Sequence, residues 1–570
     1  MLPDPATVDL PVRHVLPALS DALRDAGTAV LVAPPGTGKT TLVPLALAGE
    51  LTGRIIVAEP RRVAVRAAAR RMAALLGEQV GDTVGYTVRG ERHTGPSTRV
   101  EVVTTGVLVR RLQRDPELPG TAAVVLDECH ERQLDSDLAL AFTVDVRALL
   151  RPDLRLLATS ATAQAERLAA ILAPTGAGPG APVIVATSAL HPVEVTWAPP
   201  PRPVDAPHGL RVDPRLLDHV AATIRRALRE DDGDVLVFLP GAGEITGVAT
   251  RLADVRDTVE LVPLHGRQEG RRQDEALRPG PRRRVVLSTA VAESSLTVPG
   301  VRIVVDAGLS RVPRTDHARG LGALVTVPVS RASAEQRAGR AGREAPGRVY
   351  RCWSAAQHER LPPHAEPEIA VADLTGFALQ LACWGAPDGA GLALPDPPPE
   401  APFEVARGTL AALGAVDVAG RVTARGREIA AVGTHPRLAR ALLDGARSLG
   451  TRRAAEVVAL LSEESAGGPG DDLVASWRRL RSGTDPATTR WRTEARRLAD
   501  AVRGDGPVVR PLPDDLTAGL LVGLAYPERL ARVRQPGGRT YLMAGGTAAE
   551  LAPASPLSGT TWLAVAAADR

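Results

Sequence analysis

Near the start of the chain, Ala33-Pro34-Pro35-Gly36-Thr37-Gly38-Lys39-Thr40 closes a glycine-rich turn with an ammonium and a hydroxyl. Such a turn lets backbone N–H groups cradle a phosphate chain, while the lysine reaches the β- and γ-phosphates and the threonine hydroxyl suits a magnesium ion. This is the P-loop pattern with one departure, Ala33 in place of the first glycine. The sequence holds 69 lysines and arginines, and Lys39 is the only lysine among them. A GC-rich coding bias accounts for arginine everywhere but not for that one survivor. A compact ammonium fits inside the cradle, where the planar fork of arginine is a poor substitute. The pattern predicts that Gly36, Thr37, Gly38, Lys39 and Thr40 bind a nucleoside triphosphate.

Two carboxylates, Asp127 and Glu128, follow directly on an apolar run and precede Cys129 and His130. Hydrolysis of a γ-phosphate needs a Mg²⁺ bridging the phosphates and a group that positions or deprotonates the attacking water. Thr40 and Asp127 suit the metal, and Glu128 suits the water. An isolated Asp-Glu pair is often no more than a helix cap, but a P-loop upstream counts against that reading. His130 is either a satisfied loop histidine or a link from this site to another part of the chain. Further on stands Gln336-Arg337-Ala338-Gly339-Arg340-Ala341-Gly342-Arg343. Its arginines recur every third residue, so a helix or tight loop would present them along one side, and Gly339 and Gly342 leave room for close approach. An arginine from a second lobe can stabilise the charge on a transferred phosphoryl group, and a glutamine can orient the water. A merely solvated basic helix is the alternative, and the two glycines would weaken it.

These side chains need a scaffold that delivers them to one edge. From Thr28 to about Val185, short β-branched runs alternate with helical stretches: Thr28–Val32, Ile55–Ala58, Val100–Val103, Ala122–Leu126 and Leu154–Ala158 are the predicted strands. Runs this apolar suit a parallel sheet covered on both faces, with ligands at the carboxyl ends of its strands. The polar motifs sit at those ends. A proline-rich stretch from Pro199 to Pro214 precedes a second series at Val235–Leu239, Val285–Ser288, Val301–Val305 and Arg348–Arg351, which has no P-loop of its own. Beyond Trp353 the texture turns helical. Predicted helices at Asp373–Leu381 and Phe403–Leu413 with a hairpin at Ala415–Arg425 fit a small winged-helix unit. Pro436 to Val502 reads as a helical bundle broken at Ala466–Gly470, and short strands follow near Tyr541–Met543 and Trp562–Val565. The expected division is a first α/β lobe over 1–190, a second over 191–352, a winged-helix-like domain over 353–435, a helical bundle over 436–515 and a strand-rich segment over 516–570. The chain stops soon after those strands, which leaves room for an incomplete last unit.

In this order, the P-loop, Glu59-Pro60-Arg61-Arg62, Asp127-Glu128-Cys129-His130, Ser160-Ala161-Thr162 and the Gln336–Arg343 segment resemble a superfamily 2 helicase of the DEAH/RHA type. Phe238-Leu239-Pro240-Gly241, Pro263-Leu264-His265-Gly266 and Ser288-Thr289-Ala290-Val291-Ala292-Glu293-Ser294-Ser295 extend the likeness, which covers roughly residues 15 to 510 and is nearest to the bacterial HrpB-like branch. The resemblance implies two tandem RecA-like P-loop NTPase lobes, ATP and Mg²⁺ as cofactors, and RNA as the polymer, travelled 3′ to 5′. It also implies roles: Glu128 as catalytic base, Gln336 positioning water, Arg340 and Arg343 on the γ-phosphate with Arg343 as the finger, and Arg71 against the adenine. Arg61, Arg62, Thr105, Gly241 and Thr289 would touch the nucleic-acid backbone. His130, Ser160 and Thr162 would couple hydrolysis to strand movement. Two positions depart from the family: Ala290 stands where an asparagine is usual, and Leu277 stands where an aromatic ring would face the base.

Composition narrows the partner. Aromatics are 2% of the residues, so a ladder of stacked bases is not expected; a sequence-tolerant grip on phosphates suits a translocase that must release every nucleotide. A formal net charge of +4 is too small to argue for nucleic acid by itself, and the residues suit RNA and DNA alike. Arginines cluster at 54, 61, 62, 66, 70 and 71 and at 278, 282, 283 and 284, and such runs are commonly solvated faces. Cys129, Cys352 and Cys383 have neither metal-ligand spacing nor a disulfide framework, and no apolar run reaches membrane-spanning length, so a cytoplasmic protein without a membrane partner is expected. The leading expectation is an ATP-dependent helicase or translocase. The alternatives are an ATP-switched RNA clamp or remodeller without processive unwinding, and a catalytically silent scaffold, against which the full set Lys39, Glu128, Gln336 and Arg343 argues.

Overall fold

The computed structural model describes residues 10–34, 36–161, 165–173, 180–187, 191–266, 268, 270–293, 298–316, 321–462, 470–502 and 512–567. Thr162, Ser294, Ser295 and most of the expected bundle break at 466–470 therefore lie outside the described residues. The chain divides into two compact units: Met1–Arg314, Leu324–Val371 and Leu392–Pro397 form one, and Thr315–Ala323, Ala372–Gly391 and Pro398–Arg570 the other.

Two parallel sheets dominate the first unit. In the first lobe the elements run α1 (Leu16–Ala26), β1 (Thr28–Val32), α2 (Leu42–Glu50), β2 (Arg54–Glu59), α3 (Arg62–Leu76), β3 (Val84–Val88), β4 (Glu91–His93), β5 (Val100–Thr104), α4 (Thr105–Arg114), β6 (Thr121–Leu126), α5 (Leu134–Leu149), β7 (Arg155–Ser160), α6 (Ala165–Ile171) and β8 (Val183–Val185). The sheet order is β4-β3-β5-β2-β6-β7-β1-β8, with only β4 antiparallel. The predicted strands are all there because their Val, Ile, Leu and Ala side chains are buried by helices on both faces. Sequence reading passed over the β3–β4 hairpin, whose Glu91, Arg92 and His93 break the apolar pattern.

The second lobe comprises β9 (Val193–Trp197), α7 (Pro214–Glu230), β10 (Asp234–Phe238), α8 (Ala242–Arg251), β11 (Glu260–Leu264), α9 (Gly270–Ala276), β12 (Arg284–Ser288), β13 (Val301–Asp306), the strands β14 (Leu309–Asp316) and β15 (Leu321–Pro328) of a separate hairpin, α10 (Arg331–Ala338) and β16 (Gly347–Arg351). Its six-stranded sheet, β11-β12-β10-β13-β16-β9, is parallel throughout. Alternation along each strand feeds two cores. Val235, Val237, Val285, Leu287, Ile303 and Val305 pack on one face, and Leu236, Phe238, Val286, Val304 and Val349 on the other. Both lobes are P-loop-NTPase-type α/β layers, and together they make the two tandem RecA-like lobes that the motifs imply. Two short helices, α11 (Ala355–Glu359) and α12 (Glu368–Val371), complete this unit.

Helices α13 (Thr375–Trp384), α14 (Glu400–Ala412), α15 (Ala424–Val432), α16 (Pro436–Leu449), α17 (Thr451–Ser462), α18 (Leu473–Ser482), α19 (Thr488–Asp500) and α20 (Asp514–Ala525) make most of the second unit. The expected hairpin at 415–425 is reduced to one bridge, Val416 to Val422. Trp477 of α18 and Trp491 of α19 are fully packed, and their indole N–H groups donate to the side chain and the backbone carbonyl of Glu456 in α17. A four-stranded antiparallel sheet of β17 (Leu530–Val533), β18 (Thr540–Met543), β19 (Ala548–Glu550) and β20 (Trp562–Ala564) closes the chain around Ala531, Tyr541 and Met543.

Candidate active site

Sheet register assembles the site before any side chain is considered. In β2, β6 and β7, Ala58, Leu126 and Ala158 lie side by side, so the next residues on each strand, Glu59, Asp127 and Thr159, emerge together at the carboxyl edge. Strand β1 ends beside them with Val32 opposite Ser160, and the Ala33 N–H donates to the Ser160 carbonyl at 3.0 Å. The phosphate loop starts from there. Gly36 and Gly38 have φ of +88° and +95°, the left-handed region open to glycine. A Cβ on Gly38 would strike Leu10 and Val12 as well. Thr37 is fully buried, with its hydroxyl on the Pro34 carbonyl at 2.8 Å.

Lys39 is 3% exposed, with Nζ 3.0 Å from Glu128 Oε2 and 4.0 Å from Asp127 Oδ1. Burial works against its charge, but the two carboxylates outweigh that and hold its pKa above the ordinary lysine value. Thr40 donates its hydroxyl to Asp127 Oδ2 at 2.5 Å, and Thr159 donates to the other oxygen. Despite burial, the Lys39 charge and hydrogen bonds from Glu59, Thr159 and Thr40 keep Asp127 below the usual carboxylate range. Glu59 behaves oppositely. Burial, with Asp127 beside it, raises its pKa well above the ordinary value, which favours the neutral form that can donate to Asp127. Sequence reading named Glu59 only as the start of a motif; its neighbourhood follows from β2 lying next to β6, which are not consecutive strands.

Mg²⁺ fits this donor set. A hydroxyl and an ionised carboxylate, both hard oxygens, converge beside the phosphate loop, and magnesium commonly takes one or two carboxylates with substrate phosphates and water.

The opposite wall comes from the second lobe. A Cβ built on Gly36 would lie 3.7 Å from Nε and 3.9 Å from Cζ of Arg343, which puts the guanidinium of one lobe over the phosphate loop of the other. Burial pushes Arg343 down to about 10, with the Glu128 charge pulling upward, so it stays cationic at neutral pH. Gln336 Nε2 is 2.8 Å from His130 Nε2, and His130 Nδ1 lies 3.4 Å from Glu128 Oε2 and 3.3 Å from the Ala161 N–H. An imidazole with one proton cannot accept at both nitrogens. The Ala161 N–H donates to Nδ1, so the neutral ring carries its proton on Nε2 and donates it to Gln336, whose amide oxygen then turns inward. His130 thus stands between the carboxylate of one lobe and the amide of the other.

The three arginines of the Gln336–Arg343 segment do not share a side. Helix α10 ends at Ala338, so the three-residue spacing does not continue on one helical face. Arg337 points inward to Glu293 at 2.8 Å and Asp306 at 2.9 Å, over the ring of Phe238. Arg340 is 3% exposed and donates to the Glu293 carbonyl, whereas the three atoms nearest to a Cβ on Gly36 all belong to Arg343. Gly342 earns its small size, because a Cβ there would come within 2.5 Å of the His191 carbonyl; Gly339 meets nothing closer than 3.5 Å.

The expected nucleic-acid residues are more dispersed. Arg61 binds Glu131 at 3.0 Å and the carbonyl of Ala290 in the other lobe at 2.5 Å, next to Thr289. Arg62 donates to the Arg89 carbonyl at 2.8 Å, Thr105 is buried at the start of α4, and Arg71 is exposed on α3. Gly241 precedes α8 beneath Arg311, whose guanidinium would overlap any Cβ there and pairs with Glu244 at 2.9 Å. Arg311 went unremarked in the sequence because its partner, Glu244, is far away along the chain. Ser160 is fully buried at the edge of β7.

Comparison with known proteins matches residues 15–171 to the DEAD/DEAH box helicase family and residues 217–345 to the helicase conserved C-terminal domain. The Escherichia coli (strain K12) protein named ATP-dependent RNA helicase HrpB is 41% identical over 559 residues, 97% of this chain and 65% of that protein. The Saccharomyces cerevisiae protein named probable ATP-dependent RNA helicase DHR2 is 34% identical over 456 residues, 76% of this chain and 59% of that one. The crystal structure of the E. coli DEAH/RHA helicase HrpB is similar at a TM-score of 0.85 and 41% identity, covering 97% of this chain and 68% of that one. The chain thus spans just under two thirds of the length of these curated relatives.

Proposed function

This chain belongs to the DEAH/RHA helicase family, and we propose that it is a cytoplasmic ATP-dependent RNA helicase moving 3′ to 5′ along one strand. The observation that carries the reading is Arg343 of the second lobe lying over Gly36 in the phosphate loop of the first. A fuel site with walls from two lobes turns a change at the γ-phosphate into a change in lobe separation. Under this reading the lobes are 1–190 and 191–352, followed by a winged-helix-like domain over 353–435, a ratchet-like bundle over 436–515 and a strand-rich segment over 516–570.

The chemistry follows from the present contacts. An incoming triphosphate competes with Glu128 for the Lys39 ammonium, because both are anions within reach of one buried cation. Glu128, released from Lys39, accepts the proton of the water attacking the γ-phosphorus, and the bond to the β–γ bridging oxygen breaks to leave ADP and phosphate. Gln336 holds that water through the His130 link, and Arg343 as the finger, with Arg340, meets the charge spreading over the equatorial oxygens. Thr40 and Asp127 would hold Mg²⁺, which supplies Lewis-acid charge on the phosphate oxygens when bound. Arg61, Arg62, Thr105, Gly241 and Thr289, with Arg311, are proposed to face the polymer backbone.

Phosphate release compared with single-stranded RNA, single-stranded DNA and no polymer tests the substrate, and displacement of a duplex with a 3′ overhang tests the motor. Turnover that ignores RNA removes the helicase reading. RNA-stimulated turnover without strand displacement favours an ATP-switched clamp.

A further inference from the structure

The turn that carries Glu128 is held at both ends. Glu128 and Arg132 have φ of +55° and +52°, left-handed values that a non-glycine residue rarely adopts, and the turn Cys129–Glu131 lies between them. Lys39 grips the Glu128 end. At the other end, the Arg132 carbonyl accepts from the Glu368 N–H at 3.1 Å, and the Glu368 carboxylate accepts from the Leu134 N–H at 3.0 Å. The Arg132 guanidinium pairs with Asp137 at 3.0 Å and with Asp396 at 2.5 Å, while the second oxygen of Asp396 takes Arg167 of α6, also at 2.5 Å.

Glu368 and Asp396 are remote from the turn in sequence, and their positions in the chain are informative. After an earlier excursion over Thr315–Ala323, the chain leaves the first unit after Val371, returns for Leu392–Pro397, and then leaves for the rest of its length. Glu368 stands just before the departure after Val371 and Asp396 just before the one after Pro397. These two tethers to the second unit are therefore fastened to the loop that follows the catalytic carboxylate. Coupling between distant sites needs an element that each site can bias, and strained left-handed residues such as the two framing this turn are found at switch regions. The fastening is reversible: the Asp396 side chain is 31% exposed, so the pair breaks at modest cost.

We infer that Glu368 and Asp396 are positioning residues that staple the connections after Val371 and Pro397 to the Glu128 turn and transmit polymer binding to the hydrolytic carboxylate. This rests on the helicase reading and adds the route by which RNA stimulates turnover.

The experiment compares Asp396→Ala, Glu368→Ala and the conservative Asp396→Glu and Glu368→Gln in the full chain, with single-stranded oligouridylate as the RNA. In both alanine variants, basal ATP turnover, KM for ATP and the half-saturating RNA concentration stay at wild-type values. The RNA-stimulated kcat falls about fivefold, within the range of coupling changes of this kind. The conservative variants, which keep an acceptor, recover it. Equal loss of basal and stimulated turnover, or full stimulation in both alanine variants, overturns the staple. Hydrogen exchange without nucleotide or RNA supplies a second arm: amides at 129–134 exchange about fivefold faster in Asp396→Ala. If wild-type turnover ignores RNA, the helicase reading fails, and this arm still decides the contact. Unchanged exchange removes the staple, and faster exchange retains it.

Discussion

Lys39 and Glu128 neutralise each other at 3.0 Å, so the resting contact ties the proposed phosphate-binding lysine to the proposed base. Replacing Glu128 with glutamine keeps the shape and an oxygen near Lys39 but removes the proton acceptor. ATP affinity is expected to persist while turnover falls by roughly 10²–10⁴-fold, the usual loss for a general base. Filter binding beside steady-state phosphate release checks this, and normal turnover would take Glu128 out of the role. Arg343 makes a different demand. In the role proposed for it, its charge meets what develops on the phosphoryl group, so Arg343→Ala should lower kcat with little change in KM. A matching rise in KM would mean that it binds ground state and transition state alike. At this scale the sequence was most readable where one residue type carries a role by itself: a lone lysine, a paired carboxylate at a strand end. Glu59 was less readable, because its protonated state depends on a neighbour that strand order brings in from 68 positions away in the register Ala58 to Leu126, one residue before Glu59 and Asp127.

Elements explain why the arginine repeat misled. A spacing of three suggests one face only while a helix lasts, and α10 stops at Ala338. Arg337 is still helical and turns into the lobe, where Glu293 and Asp306 share its charge and raise its pKa further despite its burial. Removing it leaves buried carboxylates uncompensated, so Arg337→Leu should destabilise the second lobe by about 3–5 kcal/mol. Denaturant unfolding of the variant measures that, and a midpoint unchanged from wild type would make the pair ornamental. Apolar strands were legible because burial on both faces leaves a continuous signal; β4 and β9 were not, because edge strands keep polar or exposed residues. In the second unit, burial alone would raise the pKa of Asp373, but His435 at 3.5 Å and hydrogen bonds from Thr375 bring it well below its unfolded value. A depressed carboxylate pKa stabilises above the unfolded value of about 3.9 and ceases to do so as pH falls. Thermal unfolding of the second unit should therefore lose ground between about pH 5 and pH 3 in wild type, and Asp373→Asn should flatten that slope. An identical slope in both proteins would exclude the pair as its source.

Across the described residues, many arginines are paired with carboxylates of the same chain. Net charge is only +4, and Arg61, Arg66, Arg70, Arg132 and Arg337 are all committed to carboxylates. Among the described residues, polar links between the lobes of the first unit include Arg61 to the Ala290 carbonyl, Arg70 to Asp274, and Gln336 to His130. Polar links of this kind cost little to break and remake, which suits lobes that must separate in each cycle. A net charge this small supplies no broad electrostatic field, so the grip on RNA is expected to be local and phosphate-directed. Binding of single-stranded RNA should then fall with a modest salt slope. A site neutralising about three phosphates gives a slope near −2 in a plot of log affinity against log salt, at about 0.7 per phosphate. Basal ATP turnover, whose charges lie buried in the cleft, should change far less over the same range. Titrating RNA stimulation of phosphate release from low to high salt measures both quantities in one assay. Sequence-tolerant activation with that shallow slope is the expected result. A steep slope typical of six or more phosphates would point to an extended basic surface, and strong preference for one base composition would point to direct readout; either would contradict a local grip on the backbone.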